Sequence, residues 1–135
     1  MLFKNIIILT FASAFLSCQP EGPREIAVGK DQCDNCKMTI EDLKYAAELV
    51  TAKGKPYKFD DISCMTMFQN SNADIAKNAK TYAIDFKTSK FVETEKAFFI
   101  KGGKIRSPMG GNTQAFSNKA DAEKAAKELD ASFAK

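Results

Sequence analysis

Cysteine placement constrains this chain more than any other feature. Cys33, Cys36 and Cys64 stand in its body, and Cys18 ends an apolar leader. Three thiols cannot all pair within one chain, so at least one stays single unless two molecules join. Cys33-Asp-Asn-Cys36-Lys-Met38 brings two thiols and a thioether into one short stretch. A disulfide from Cys33 to Cys36 or to Cys64 would staple the fold, whereas reduced thiols would leave a cluster of sulfur donors. The chain of 135 residues has no histidine. Ser–His and Cys–His nucleophilic systems are therefore excluded.

The first residues read as an export signal. Lys4 supplies a positive start, Ile6 to Leu16 is uncharged and apolar, and Ser17 precedes Cys18. This is the layout of a signal peptide over residues 1–17, too short for a comfortable membrane span. Phe15-Leu16-Ser17-Cys18 resembles a lipobox, although leucine is usual where Phe15 stands. A lipidated Cys18 would become the new N-terminus and a membrane anchor; the alternative is a secreted protein with a free Cys18. Gln19 takes the place of the aspartate that favours inner-membrane retention in some bacteria, which points to the outer membrane. Pro20, Gly22, Pro23 and Gly29 suggest a flexible tether over residues 18–31, with the folded domain at 32–135. Cleavage would remove one of the 20 basic residues, Lys4, and none of the 17 acidic ones. The charges are interspersed, so no nucleic acid partner is expected. Export implies an oxidising compartment.

Tyr45 to Thr51 predicts a strand, Lys53-Gly54-Lys55 a turn, and Tyr57 with Phe59 one face of a returning strand. Asp61 is placed to cap a helix over Ile62–Gln69, which Asn70-Ser71-Asn72 would stop. Tyr82, Ile84 and Phe86 alternate with Ala83, Asp85 and Lys87, the pattern of a half-buried strand. Phe91-Val92 and Ala97–Ile100 are apolar runs; Gly102-Gly103 offers a turn, and Lys104–Arg106 a returning strand. Asn118 can cap a last helix with Ala122, Ala125, Ala126, Leu129 and Phe133 as its apolar stripe, and Glu123 paired to Lys127. The order strand, turn, strand, helix occurs twice. It predicts an α+β protein of two small similar ββα-type lobes, at about 32–72 and 80–135.

The sulfur atoms admit several readings. Cys36 and Met38 are two residues apart, so on an extended loop both point the same way. Sulfur donors without imidazole suit a soft monovalent ion, copper(I) first. One thiolate with thioethers gives a neutral site with copper(I), which limits the cost of burial. Structural zinc fits poorly, because it wants four ligands, mostly thiolate or imidazole. Cys33 and Cys36 could instead be a redox pair, but a glycine-containing polar stretch precedes them where a thioredoxin-like motif expects a strand. Cys64-Met65-x-Met67 lies in the predicted helix. Its first turn could lower the Cys64 pKa, while core packing is the plainer reading for Cys64, Met65 and Phe68. Met109 stands in a Pro108-Met109-Gly110-Gly111 loop with no obvious core above it. Asp60 and Asp61 read as turn and cap residues rather than as a catalytic pair.

Together these stretches resemble the NosL family, the nitrous oxide reductase accessory lipoproteins. The resemblance runs from Cys33 to about Leu129. It rests on Cys33-x-x-Cys36-x-Met38, Lys58-Phe59-Asp60-Asp61-x-x-Cys64-Met65, Ala97-Phe98-Phe99-Ile100-Lys101-Gly102, and Pro108-Met109-Gly110 with Ala115-Phe116. It implies a fold related to the organomercurial lyase and a periplasm-facing copper(I) chaperone. Such a carrier would hand copper to a membrane-bound ABC-type assembly complex that matures nitrous oxide reductase. It implies Cys36, Met38 and Met109 as copper ligands; Cys33, Cys64 and Met65, from their own place in the sequence, stay candidates for an auxiliary metal or redox role. The family usually has glycine where Lys37 stands. Lysine fits there if the backbone avoids strongly positive φ, and it brings a positive charge near the site. Some relatives are thought to use a histidine ligand, which this chain lacks.

Overall fold

The computed structural model describes residues 22–134. The signal segment, Cys18 and the start of the expected tether lie outside them. Among the described residues no helix is long and apolar enough to cross a membrane.

Strand β1 (Ala47–Val50) pairs antiparallel with β2 (Pro56–Phe59) on one side and β3 (Lys80–Ile84) on the other; β4 (Phe91–Glu93) extends the sheet beyond β3. A second antiparallel sheet places β5 (Phe98–Lys101) between β6 (Thr113–Phe116) and β7 (Ser132–Ala134). Helix α1 (Ile62–Ser71) and the single turn α2 (Ala73–Ala76) follow β2, and α3 (Lys119–Leu129) follows β6. Each sheet is thus a ββαβ unit with its first strand in the centre. The repeat is shifted from the sequence expectation. Lys80–Ile84 closes the first unit by pairing with β1 instead of opening the second, so the division expected between 72 and 80 does not fall there.

The reason lies in the faces of β1. Ala47 and Leu49 meet Phe59, Cys64, Met65 and Phe68 under α1. The opposite face belongs to a second cluster of Ile26, Ile40, Ala46 and Ile84. Every residue of β1 is buried, and so are Tyr82, Ala83 and Ile84, so the predicted half-exposure of β3 does not hold. Ile26 supplies part of that cover. The Arg24 N–H donates to Glu48 Oε1 at 2.7 Å, and the Gly29 N–H to the Ile40 carbonyl at 2.9 Å. Residues expected to be tether up to 31 are therefore part of the fold from about 24. An uncovered sheet face needs an apolar lid, and Ile26 is 5% exposed.

Asp61 caps α1 by accepting the Ser63 N–H, and Asn118 caps α3 by accepting from Ala120 and Asp121. Ala122 lies on the buried face of α3, with Ala125, Ala126 and Leu129 beside it. Phe133 leaves the expected stripe. Asp130 adopts the left-handed conformation and ends the helix, so Phe133 enters β7 opposite Ile100. Glu123 is 3.7 Å from Lys119 rather than paired with Lys127. Lys104–Arg106 forms no strand. The Lys104 N–H bonds the Leu129 carbonyl, and Ile105 is buried against α3, so this stretch is held by the helix instead of by β5. Residues 102–112 become one long loop, and β6 begins only at Thr113.

Two buried aspartates join the sheets. Asp61 reaches the 102–112 loop. Asp85, just after β3, accepts hydrogen bonds from both the N–H and the hydroxyl of Ser117, which follows β6.

Candidate metal centre

The loop carrying Cys33 and Cys36 closes on itself. The Cys33 N–H donates to the Met38 carbonyl at 2.8 Å, and the Lys37 N–H to the Cys33 carbonyl at 2.9 Å. Asp34 fastens it to β2, donating its N–H to the Lys58 carbonyl and accepting the Lys58 N–H, each at 2.8 Å. The turn needs a left-handed residue, and Lys37 provides it at φ +65°. The expectation that lysine here means a backbone without positive φ is corrected. The loop requires the glycine-like geometry, and the lysine accepts it. Its ammonium is drawn aside, donating to the Asp34 carbonyl at 2.7 Å.

This fold brings Cys33, Cys36, Asp60 and Cys64 together, with one donor atom from each lying within 4.8 Å of all the others. Asp60 ends the β2 hairpin, and Cys64 lies one turn further on in α1. The Cys36 N–H points at Cys33 Sγ at 3.5 Å, and Cys36 Sγ is 3.5 Å from Asp60 Oδ2. All three thiols are free. Cys33 and Cys64 are fully buried, and Cys36 is intermediate. No helix starts at Cys36, so the C-x-x-C stretch lacks the helix of a thioredoxin-like motif.

Burial pushes the Cys33 thiol above its usual range. Burial likewise raises Cys64, with a hydrogen bond to Asp60 adding to it. Desolvation therefore outweighs the helix dipole, in keeping with the core-packing reading of Cys64. Asp60 is 2% exposed, and its Oδ1 has no hydrogen-bond partner among the described residues. A buried carboxylate oxygen left open beside three thiols is a feature that a bound cation would satisfy.

The expected site residues divide by depth. Cys33, Cys36 and Cys64 are in the cluster. Met65 is 3% exposed within the apolar core, as the packing reading expected. Met38 and Met109 lie at the surface, 56% and 37% exposed. Met109 is nonetheless tied to the centre. Its N–H donates to Asp61 Oδ2 at 3.0 Å, and the Ser107 hydroxyl donates to the same oxygen at 2.6 Å. Gly111 completes the approach: a Cβ there would sit 2.6 Å from Asp61 Oδ1. Burial would raise the Asp61 pKa, but the bonds from Ser107, Ser63 and Met109 outweigh it and hold the carboxyl below its usual range.

Sequence reasoning missed two things. Asp60 had been read only as a turn residue, although Asp60 and Cys64 are spaced one helical turn apart. Asp61 was read as a cap, but nothing local signals that its second oxygen binds a loop 46 residues away.

The class so defined is a small α+β protein with two antiparallel sheets and a buried thiol–carboxylate cluster that could hold a metal ion. A family model for NosL matches residues 25–131, and the chain belongs to that family. Among solved structures, the copper chaperone NosL from Shewanella denitrificans shares the fold with a TM-score of 0.71. It is 21% identical, over 87% of this chain and 94% of its own. No curated protein matches the sequence.

Proposed function

We propose that this chain is a lipid-anchored copper(I) carrier of the bacterial envelope. The observation that carries the reading is the convergence of three free thiols and the buried Asp60 carboxylate, one donor atom from each lying within 4.8 Å of the others. Cys36, the thiol nearest the surface, supplies the thiolate. Met38 and Met109 supply thioethers that add ligation without charge, so the loaded site is neutral. Exposed thioethers hold a soft ion loosely enough to release it. Cys33, Cys64 and Asp60 form the floor beneath. Lipidated Cys18 would place the carrier on the membrane, outer rather than inner, facing the periplasm. Its recipient would be a membrane ABC-type assembly complex that matures the copper centres of nitrous oxide reductase. The solved relative named a copper chaperone supports the cargo.

Competition against a copper(I) chelator tests the cargo. Cys36→Ala should lose tight binding, and the reading fails if it binds as wild type does. Palmitate labelling of wild type but not of Cys18→Ala tests the anchor.

A further inference from the structure

Away from the thiols, a groove of about 670 Å³ runs between α3, β6 and the 3-10 turn Leu43–Tyr45. Its size is that of a small-ligand or side-chain cleft. Lys44, Lys87, Lys104, Arg106 and Lys124 line it, against only Asp121 and Glu128. That excess of three positive charges is larger than the +2 left once Lys4 goes with the leader, 19 basic against 17 acidic residues, so the rest of the mature chain carries a net charge of −1. The cations are not all internally matched. Lys87 pairs with Asp121 at 2.6 Å and Lys104 with Asp130 at 2.7 Å. Lys44 instead lies over the Phe86 ring at 4.8 Å, and among the described residues Arg106 donates only to the carbonyls of Gly103 and Ile105.

The floor is apolar, with Phe86 and Phe116 together at 6.3 Å between ring centres and Tyr45 edge-on to Phe86. Set in that wall is Gln114, 3% exposed. Its Nε2 donates to the Tyr45 hydroxyl at 3.4 Å, and its Oε1 has no partner among the described residues.

We propose that this groove docks a short acidic peptide segment of a partner protein, anchored by one apolar side chain. Such a segment brings the negative charge and the apolar side chain that the groove is built to receive. Its carboxylates meet Lys44 and Arg106, and its apolar side chain meets the phenylalanine floor. An inorganic anion brings no apolar side chain for the phenylalanine floor, and a flat membrane does not fill a concave cleft. The site also lies beside the cargo loop. Arg106 precedes Ser107, whose hydroxyl holds the Met109 segment against Asp61. The inference stands apart from the copper reading, since a chain that bound no copper would still carry this groove.

The test uses the full chain without metal and a fluorescein-labelled, glutamate-rich peptide with one central phenylalanine, followed by anisotropy. We expect saturable binding that weakens with salt. The Lys44→Glu/Arg106→Glu variant should weaken it about tenfold or more, as should replacing the peptide's glutamates by glutamine. Phe86→Ala should weaken it as well. Circular dichroism checks folding, and Lys44→Gln/Arg106→Gln serves if the reversed pair does not fold. The proposal is overturned if the glutamine peptide binds equally, or if the folded charge variants bind as wild type. Binding to phosphatidylglycerol vesicles with no binding of the peptide would also overturn it, in favour of a membrane surface.

Discussion

The Ser107 hydroxyl donates a 2.6 Å hydrogen bond to Asp61 Oδ2, joining the loop of the second sheet to the helix cap of the first. The same oxygen accepts the Met109 N–H, so one carboxylate sets the position of a proposed ligand without touching metal. Ser107 also accepts the Asn112 N–H at 2.7 Å, closing the loop's far end. Ser107→Ala should cost about 1.5–3 kcal/mol, the range for a hydrogen bond to a charged group. It should also weaken copper(I) binding several-fold although no ligand is lost. Denaturant unfolding reads the first effect and chelator competition the second. Unchanged affinity in the destabilised variant would show that the Met109 loop does not contribute.

Met38 separates affinity from stability. It is 56% exposed and belongs to none of the three apolar clusters. Met38→Ala should therefore shift the unfolding free energy by less than about 0.5 kcal/mol. Loss of one of the two thioethers should still lower copper(I) affinity, by about tenfold if the thioether contributes about 1.4 kcal/mol. A thiol–disulfide exchange protein using Cys33 and Cys36 would be indifferent to the substitution. An unaltered chelator titration for Met38→Ala would count against thioether ligation.

Lys37 carries a strain that a single change relieves. At φ +65° its side chain crowds the backbone, at a cost on the order of 1 kcal/mol. Lys37→Gly should raise the unfolding midpoint, because glycine meets no such penalty. Lys37→Val should lower it, since a β-branched residue is least at ease in this region. Thermal unfolding of the two variants decides the matter; the same sign for both would mean that the turn relaxes out of the left-handed region.

What could be read from the sequence divides along the range of the forces involved. The Asp61 and Asn118 caps, the Gly54 turn, and the existence of β1, β2, α1 and α3 depend on neighbours a few residues away, and they were legible. The partner of β3 was not. Tyr82–Ile84 has the same alternating pattern whichever sheet it joins, and only the lid formed by Ile26 and Ile40 makes both its faces buried. The thiols were visible as a motif. That Cys64 and Asp60 join Cys33 and Cys36 depends on the β2–α1 corner folding under the loop, a contact set by tertiary packing. The Lys104–Arg106 error has the same origin, since an apolar residue between two basic ones looks like a strand until α3 claims Ile105.

Asp85 makes the junction between the sheets pH-dependent. It is 3% exposed and accepts the N–H groups of Lys87 and Thr88 on one oxygen and both Ser117 donors on the other. Burial would raise its pKa, but the Ser117 hydroxyl, the Ser117 N–H and the two turn N–H groups more than offset this and hold it below the ordinary 3.8. A carboxylate depressed in the folded state contributes stability that is present above its unfolded pKa and is lost as pH falls through the folded value. Asp85→Asn keeps the shape but loses the charge, and its amide NH₂ faces a donor. At neutral pH it should be less stable than wild type by about 2–3 kcal/mol. That gap should hold down to roughly pH 4 and narrow below it, as wild-type Asp85 takes up its proton. Urea unfolding of both proteins across this range measures the gap directly. A difference that stays constant from neutral pH to well below 3.8 would mean that the charge on Asp85 does not hold the two sheets together.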